Sequence, residues 1–290
     1  MRLIRKTLPL NHNLFLFGDD HEGMSNRHDE GWTMLVKMMK SKYEGCKENF
    51  GVDHGDIIEA IPCTDPRYDR SSEKSNYLNQ IDQAIENREL IRAKLVCILD
   101  GNHPYKYVEF GNSTDKVCEK LGVPYGTHMT HITYETTKGN VMYRHYAYHG
   151  WRTMRSGADD PIRRDANLKL SLKRQLKDKF ADCALMTLGH THKLVIVEPT
   201  KSLYLTGGDD IKQHYTGSHQ ADSYIHPDHR WYVNTGSFMK LYGHGYSTYA
   251  ERFGYDPMEL GFAIVRVRDG IIQGIDKIVL ETQKEEASNG

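Results

Sequence analysis

The sequence predicts an α/β fold in which two packed β-sheets carry helices on their outer faces, and three observations lead to that prediction. Short apolar runs alternate with segments of helical period in the first part of the chain, strand-like runs follow one another in the last part, and five strand-like segments end beside glycine and a carboxylate, amide or imidazole. A chain of 290 residues can bury about 75% of the surface its unfolded form exposes, so it needs no disulfide or metal merely to stay folded. With no repeat and no Pro/Gly/Ser linker in view, residues 1–290 are expected to form a single domain.

The elements are justified in chain order. Asn13 to Phe17 is an apolar run closed by Gly18, a strand; Trp32, Leu35, Val36, Met39 and Tyr43 recur at helical spacing. Phe50 to Asp53 is a weakly apolar strand. Tyr77 to Ala93 has the helical pattern Leu78, Ile81, Ile85 and feeds the buried strand Leu95 to Leu99. A short helix over Thr114 to Leu121 is stopped by Gly122. Met129 to Glu135 and Val141 to Tyr148 flank Lys138-Gly139-Asn140 and read as a hairpin. Leu168, Leu172, Leu176 and Phe180 fall on one helical face, before strands at Ala184 to Leu188, Leu194 to Val197, Leu203 to Thr206 and Trp231 to Val233. The last pair, Phe262 to Arg268 and Ile271 to Leu280, turns at Asp269-Gly270. Residues 207–230 hold His214, His219, His226 and His229 without a period and are expected to form a loop that closes as a lid over the site.

Composition narrows the function. The 38 Lys+Arg balance 39 Asp+Glu to a net charge of -1, which argues against a surface built wholly for polyanions. Five cysteines without a C-x-x-C pair fit a reducing compartment. The apolar runs are too short to span a bilayer and the N-terminal residues show no secretory leader, so a cytoplasmic location and no membrane partner are expected. Histidine is abundant at 16 copies, and it is the commonest metal-binding side chain.

The chemistry gathers where strands end. Gly18-Asp19-Asp20-His21 follows the first strand, Gly55-Asp56 with Glu59 the second, and Gly101-Asn102-His103 the third; His149-Gly150 and Gly189-His190-Thr191-His192 close two later ones. Carboxyl ends of neighbouring strands meet at one sheet edge, the place where open α/β folds bind ligands. Oxygen and imidazole donors without thiolate suit a hard or borderline divalent ion such as manganese, iron or zinc. Seven such donors exceed what a single ion takes from a protein, whereas two ions sharing a carboxylate account for the number.

The ordered set D-x-H, GD-x-x-[DE], GNH, H-G and GH-x-H, at intervals of 37 (19 to 56), 46 (56 to 102), 47 (102 to 149) and 41 (149 to 190), resembles the calcineurin-like metallophosphoesterase family. The resemblance runs from about Leu14 to His192, and Asn234-Thr235-Gly236-Ser237 is similar to the N-x-GS turn that follows the family's last motif. It implies a four-layer α/β/β/α sandwich of two mixed sheets flanked by helices. It implies one ion on Asp19, His21, Asp56 and His192, and a second on Asp56, Asn102, His149 and His190, with Asp56 between them. Manganese is the first choice, with iron, zinc or magnesium as alternatives. A hydroxide held between two ions about 3.5–4 Å apart would attack the phosphate ester, so no protein nucleophile is required. His103 would stabilise charge or protonate the leaving oxygen, with Glu59 orienting it and keeping it protonated. Pro104 departs from the acidic residue that many members carry after GNH. The arginines that phosphoprotein phosphatases place near the second and third motifs are missing, and Arg67, Arg70, Arg152 and Arg155 are the remaining candidates for phosphate contact. Together with a basic segment (Lys169, Lys173, Arg174, Lys177, Lys179) and many tyrosines, this favours a phosphodiester of a nucleotide or nucleic acid. The alternatives are a phosphomonoesterase and a metal-binding interaction module without turnover.

Overall fold

The computed structural model describes residues 1–68, 70–71, 76–106, 111–216, 220 and 223–280. Its strands are β1 (Arg2–Thr7), β2 (His12–Phe17), β3 (Asn49–Asp53), β4 (Leu95–Ile98), β5 (Met129–Glu135), β6 (Val141–Tyr148), β7 (Leu185–Leu188), β8 (Leu194–Val197), β9 (Leu203–Thr206), β10 (Lys212–Tyr215), β11 (Trp231–Thr235), β12 (Gly261–Arg268) and β13 (Ile271–Val279). The helices are α1 (Asp29–Lys40), α2 (Tyr77–Glu89), α3 (Ser113–Leu121), α4 (Pro161–Leu176) and α5 (Tyr249–Phe253).

Two large mixed sheets form the body, in the orders β1-β5-β6-β7-β11-β8 and β13-β12-β2-β3-β4. Side-chain alternation along a strand explains the layering. In β2, Phe15 and Phe17 join the apolar cluster with Trp32, Leu35 and Met39 of α1, Ala84 of α2 and Val117 of α3. Leu14 and Leu16 face the other way, into a cluster with Ile132, Leu185 and Val233 of the second sheet. On that sheet's far side, Tyr146 and Met186 pack with Leu172 and Leu176 of α4. Three apolar layers thus separate helices, sheet, sheet and helix, the α/β/β/α sandwich.

Several boundaries differ from the sequence-based expectation, each for a local reason. Helix α4 starts at Pro161, ahead of its leucine stripe, because Asp160 caps it by accepting from Arg163 N at 2.8 Å and proline suits the first helical position. Helix α3 ends as expected, with Gly122 at φ 65°. Strand β1 was not anticipated: it is a largely exposed edge strand, parallel to β5.

The loop expected over 207–230 is partly a hairpin, since β10 pairs antiparallel with β9. Residues 217–219 and 221–222 of that segment lie outside the described residues. Strand β8 sets Leu194 opposite Thr235 and Val197 opposite Tyr232, and β11 runs parallel to β7 with Trp231 opposite Leu185. The chain therefore leaves and rejoins this sheet at the amino-terminal edge of β7, remote from His190 and His192. Gln220 Nε2 donates to Asp182 O and Ile225 N to Ala181 O, both at 2.7 Å. Gln220 and Ile225 are thus anchored at the edge opposite the donor cluster.

Candidate metal centre

Strands β2, β3 and β4 run parallel in one sheet and β6 and β7 in the other, and the turns after them meet at one edge of the sandwich. This carries Asp19 and His21, Asp56, Asn102 and His103, His149, and His190 and His192 into one place. The turns are tight. Asp19, His21, Asp56, His190 and His192 all have φ between 48° and 66°, a region that side chains other than glycine, Asn and Asp seldom adopt. Glycine is required where one turn presses on another: a Cβ on Gly101 would lie 2.0 Å from Asp56 Oδ1, so only glycine lets the Asn102 turn reach Asp56.

The expected donors fall into two groups, beside a third made by His21, Glu59 and His103. Asp19, His21 and His192 offer atoms within 4.8 Å of one another, as do Asp56, His149 and His190. In the first, His192 Nε2 lies 3.2 Å from His21 Nε2 and 3.5 Å from Asp19 Oδ1. In the second, His149 Nε2 lies 3.1 Å from Asn102 Oδ1 and 3.3 Å from Asp56 Oδ2. Every one of the seven expected donors therefore falls in or beside these two groups, and all but His190 are buried.

Partners behind the imidazoles fix which nitrogen faces inward. His149 Nδ1 is 2.6 Å from the carbonyl oxygen of His54, which can only accept, so Nδ1 carries a proton and Nε2 is the atom turned inward. His21 Nδ1 is held the same way by Glu59 Oε2 at 2.6 Å. Backing of this kind, carbonyl or carboxylate behind imidazole, is characteristic of metal-binding histidines. Burial disfavours charge on His21, yet Glu59, Asp56 and Asp19 together outweigh it and raise its pKa to about 9. Burial likewise opposes charge on His149, and Asp56 and Asp19 raise it to about 9. Burial raises Asp19 to about 7 despite the nearby imidazoles. Cations at the centre of these groups would relieve the crowding of carboxylates.

Glu59 sits differently from the expectation. Its carboxylate makes its short contact with His21, while His103 Nδ1 lies 3.4 Å away and instead meets the Glu59 main-chain oxygen at 2.7 Å. Burial lowers the His103 pKa, against the upward pull of Glu59 and Asp56. The main chain of His103 donates to Asp56 Oδ1 at 2.8 Å.

The Asn234-Thr235-Gly236-Ser237 turn supports the centre from below: Ser237 Oγ donates to Asp19 O at 2.8 Å, and Asn234 Nδ2 donates to Thr191 Oγ1. Residues missed in the sequence include His54, whose carbonyl aims His149, and the buried cluster of Asp20, Asp53 and Arg88 beneath the turns. No motif marks them, and only the helical spacing that buries Arg88 could have pointed to it. Among the described residues a separate group, His131, Asp182 and Cys183, lies at the opposite edge. There Arg144 Nε approaches Asp182 to 3.6 Å and supplies the positive charge.

No family model and no curated protein matches the chain. Among solved structures, the NAD nucleotidase NadN of Haemophilus influenzae aligns over 94% of this chain and 50% of its own, with 11% sequence identity and a TM-score of 0.39. The chain thus spans about half the length of that protein. At this similarity nothing of the nucleotidase's chemistry transfers to this chain.

Proposed function

We propose that this chain is a phosphoesterase that holds two divalent ions and hydrolyses a phosphodiester. The supporting observation is the pair of adjacent donor groups whose histidines His21 and His149 have their Nε2 atoms turned inward by Glu59 and His54. One ion would rest on Asp19, His21, Asp56 and His192 and the other on Asp56, Asn102, His149 and His190, with Asp56 shared; oxygen and imidazole donors suit manganese first, then iron, zinc or magnesium. When bound, such ions supply positive charge to a phosphoryl oxygen and acidify water.

The chain's own groups do the rest. Asn102 and the glycine turns hold the donors; His103, fixed through its main-chain N-H on Asp56 and its Nδ1-H on Glu59 O, keeps Nε2 as the atom that exchanges a proton with the ester. The negative charge of a bound substrate would favour the protonated ring. Arg67 and Lys106 share Asp65, through Arg67 Nη2 at 2.9 Å and Lys106 Nζ at 2.8 Å. That cluster keeps one net positive charge, which matches the single charge of a diester better than a dianionic monoester. Arg70, Arg152 and Arg155 are exposed.

The test compares bis-p-nitrophenyl phosphate with p-nitrophenyl phosphate, with manganese, iron, zinc or magnesium in turn and with chelator. Preferred hydrolysis of the diester, lost on chelation and lowered more than about a hundredfold by Asp56→Asn, is the expected result. Preference for the monoester reassigns the substrate. Hydrolysis of neither ester with any of the four metals leaves a binding module in its place.

A further inference from the structure

We infer that Arg88 is a positioning residue that sets the separation between the two donor groups, an inference that rests on the dimetal reading above. Arg88 lies on α2 and is wholly buried, which an arginine seldom is unless every charge is matched. Its Nη2 lies 2.6 Å from Asp20 Oδ1 and its Nε 2.8 Å from Asp53 Oδ2, with the Trp32 ring 4.9 Å beneath the guanidinium.

The two carboxylates belong to different turns. Asp20 stands between Asp19 and His21, both at positive φ, so drawing its side chain down into the protein sends its two neighbours up into the site. Asp53 ends β3; its Oδ1 accepts from Gly55 N at 3.0 Å, and its main-chain oxygen accepts from Leu99 N at 2.8 Å. Asp53 therefore sets the start of the turn that delivers Asp56 and ties it to β4. The two turns already meet through main-chain bonds, Asp19 N to Gly55 O at 2.8 Å and His21 N to Asp56 O at 3.1 Å, and the planar guanidinium braces the same junction from beneath through a carboxylate on each side. The two-sided fork matters here, because an ammonium in the same place supplies the charge without spanning both carboxylates. Arg27, 5.1 Å from the same Trp32 ring, braces the first turn alone, through Asp20 at 3.3 Å and Glu22 at 2.6 Å.

The test uses Arg88→Lys, which keeps the charge, and Asp53→Asn, which frees only the second turn. The readout is manganese titration followed by electron paramagnetic resonance, where two Mn(II) ions sharing a ligand give an exchange-coupled spectrum sensitive to their separation. Expected for Arg88→Lys is a folded protein whose second manganese binds about 10–100-fold more weakly and whose coupled spectrum is altered or lost, with Asp53→Asn shifted the same way. Wild-type affinity and spectrum in both variants overturn the inference while the dimetal reading stands. If Arg88→Lys does not fold, Asp53→Asn decides alone. A wild-type protein that binds two manganese ions without coupling, or fewer than two, removes the dimetal reading and this inference together.

Discussion

Five of the nine non-glycine residues found at positive φ among the described residues are metal-donor candidates. Each such conformation costs on the order of 1–3 kcal/mol and persists where surrounding contacts enforce it. Here the enforcing contacts include Ser237 and Phe238 on the Asp19 oxygen and His190 N on the Asp19 carboxylate at 2.9 Å. Glu59 is the residue where this support can be probed most directly. Burial opposes its charge, but His103 and His21 hold its pKa below the usual carboxylate value, so it is ionised behind His21 at neutral pH. Glu59→Gln preserves shape and removes that charge; manganese affinity, measured by competition with a chelator, is expected to fall about 10–100-fold. Unchanged affinity would leave Glu59 a purely structural group. At this scale the sequence was informative because donors and glycines occur together in fixed short patterns. It was silent on His12, His54 and His145, which look like donors in composition but are neutral, buried groups in the core: His54 and His145 meet Thr187 Oγ1 at 2.6 Å and 2.7 Å, and His12 meets Tyr143 OH at 2.8 Å.

Among the elements, the turn after β4 carries the sharpest steric prediction. Gly101→Ala places a methyl group 2.0 Å from Asp56 Oδ1 and 2.4 Å from Asp56 N, and neither neighbour is the free end of a flexible side chain. The turn must back away, taking Asn102 and His103 with it. Manganese binding is expected to drop from two ions to one by elemental analysis, with the far-ultraviolet circular dichroism unchanged; two tightly held ions would refute the steric argument. Elements with strong apolar period or a turn signal were legible: the β5-β6 hairpin appears with the expected bounds, and Asp269 and Gly270 adopt the two positive φ values, 52° and 76°, of a tight hairpin turn. Strands β1 and β10 and helix α5 escaped because their residues are mostly exposed and lack an apolar face. Two basic residues of α4 pair with carboxylates, Lys169 with Asp165 at 2.7 Å and Lys173 with Asp228. Of the tyrosines between Tyr143 and Tyr148, Tyr143 and Tyr146 are buried in the core, whereas Tyr242 and Tyr255 are exposed.

For the whole molecule, the packing of the two sheets has a pH signature. Burial lowers the pKa of His12 to about 4 and of His54 to about 3, and pushes His145 down as well. An unfolded chain returns each to about 6.5. Between pH 6.5 and 4 the unfolded state therefore binds more protons at these positions, and their contribution to stability falls as pH falls. Asp19 and Glu22, raised to about 7, and Asp53, raised to about 6, act in the opposite sense over part of that window. A variant isolates one group: urea unfolding at pH 7 and 4.5 should show a pH-dependent loss smaller by about 2 kcal/mol in His12→Gln than in the parent. Equal losses would place the acid sensitivity elsewhere. The layered architecture was readable because apolar alternation reports which faces are buried. The register that brings seven donors to one edge depends on contacts between residues more than a hundred positions apart, and only the motif resemblance bridged that distance.

Strand β2, which delivers Asp19 and His21, is flanked by β3 on one side and by β12 on the other, so its second neighbour comes from the last tenth of the chain. A polypeptide still emerging from the ribosome would expose one bare edge of that strand until residues 261–268 had been made. Assembly of the donor cluster would then wait on those residues, and truncation before Gly261 should yield an aggregation-prone fragment.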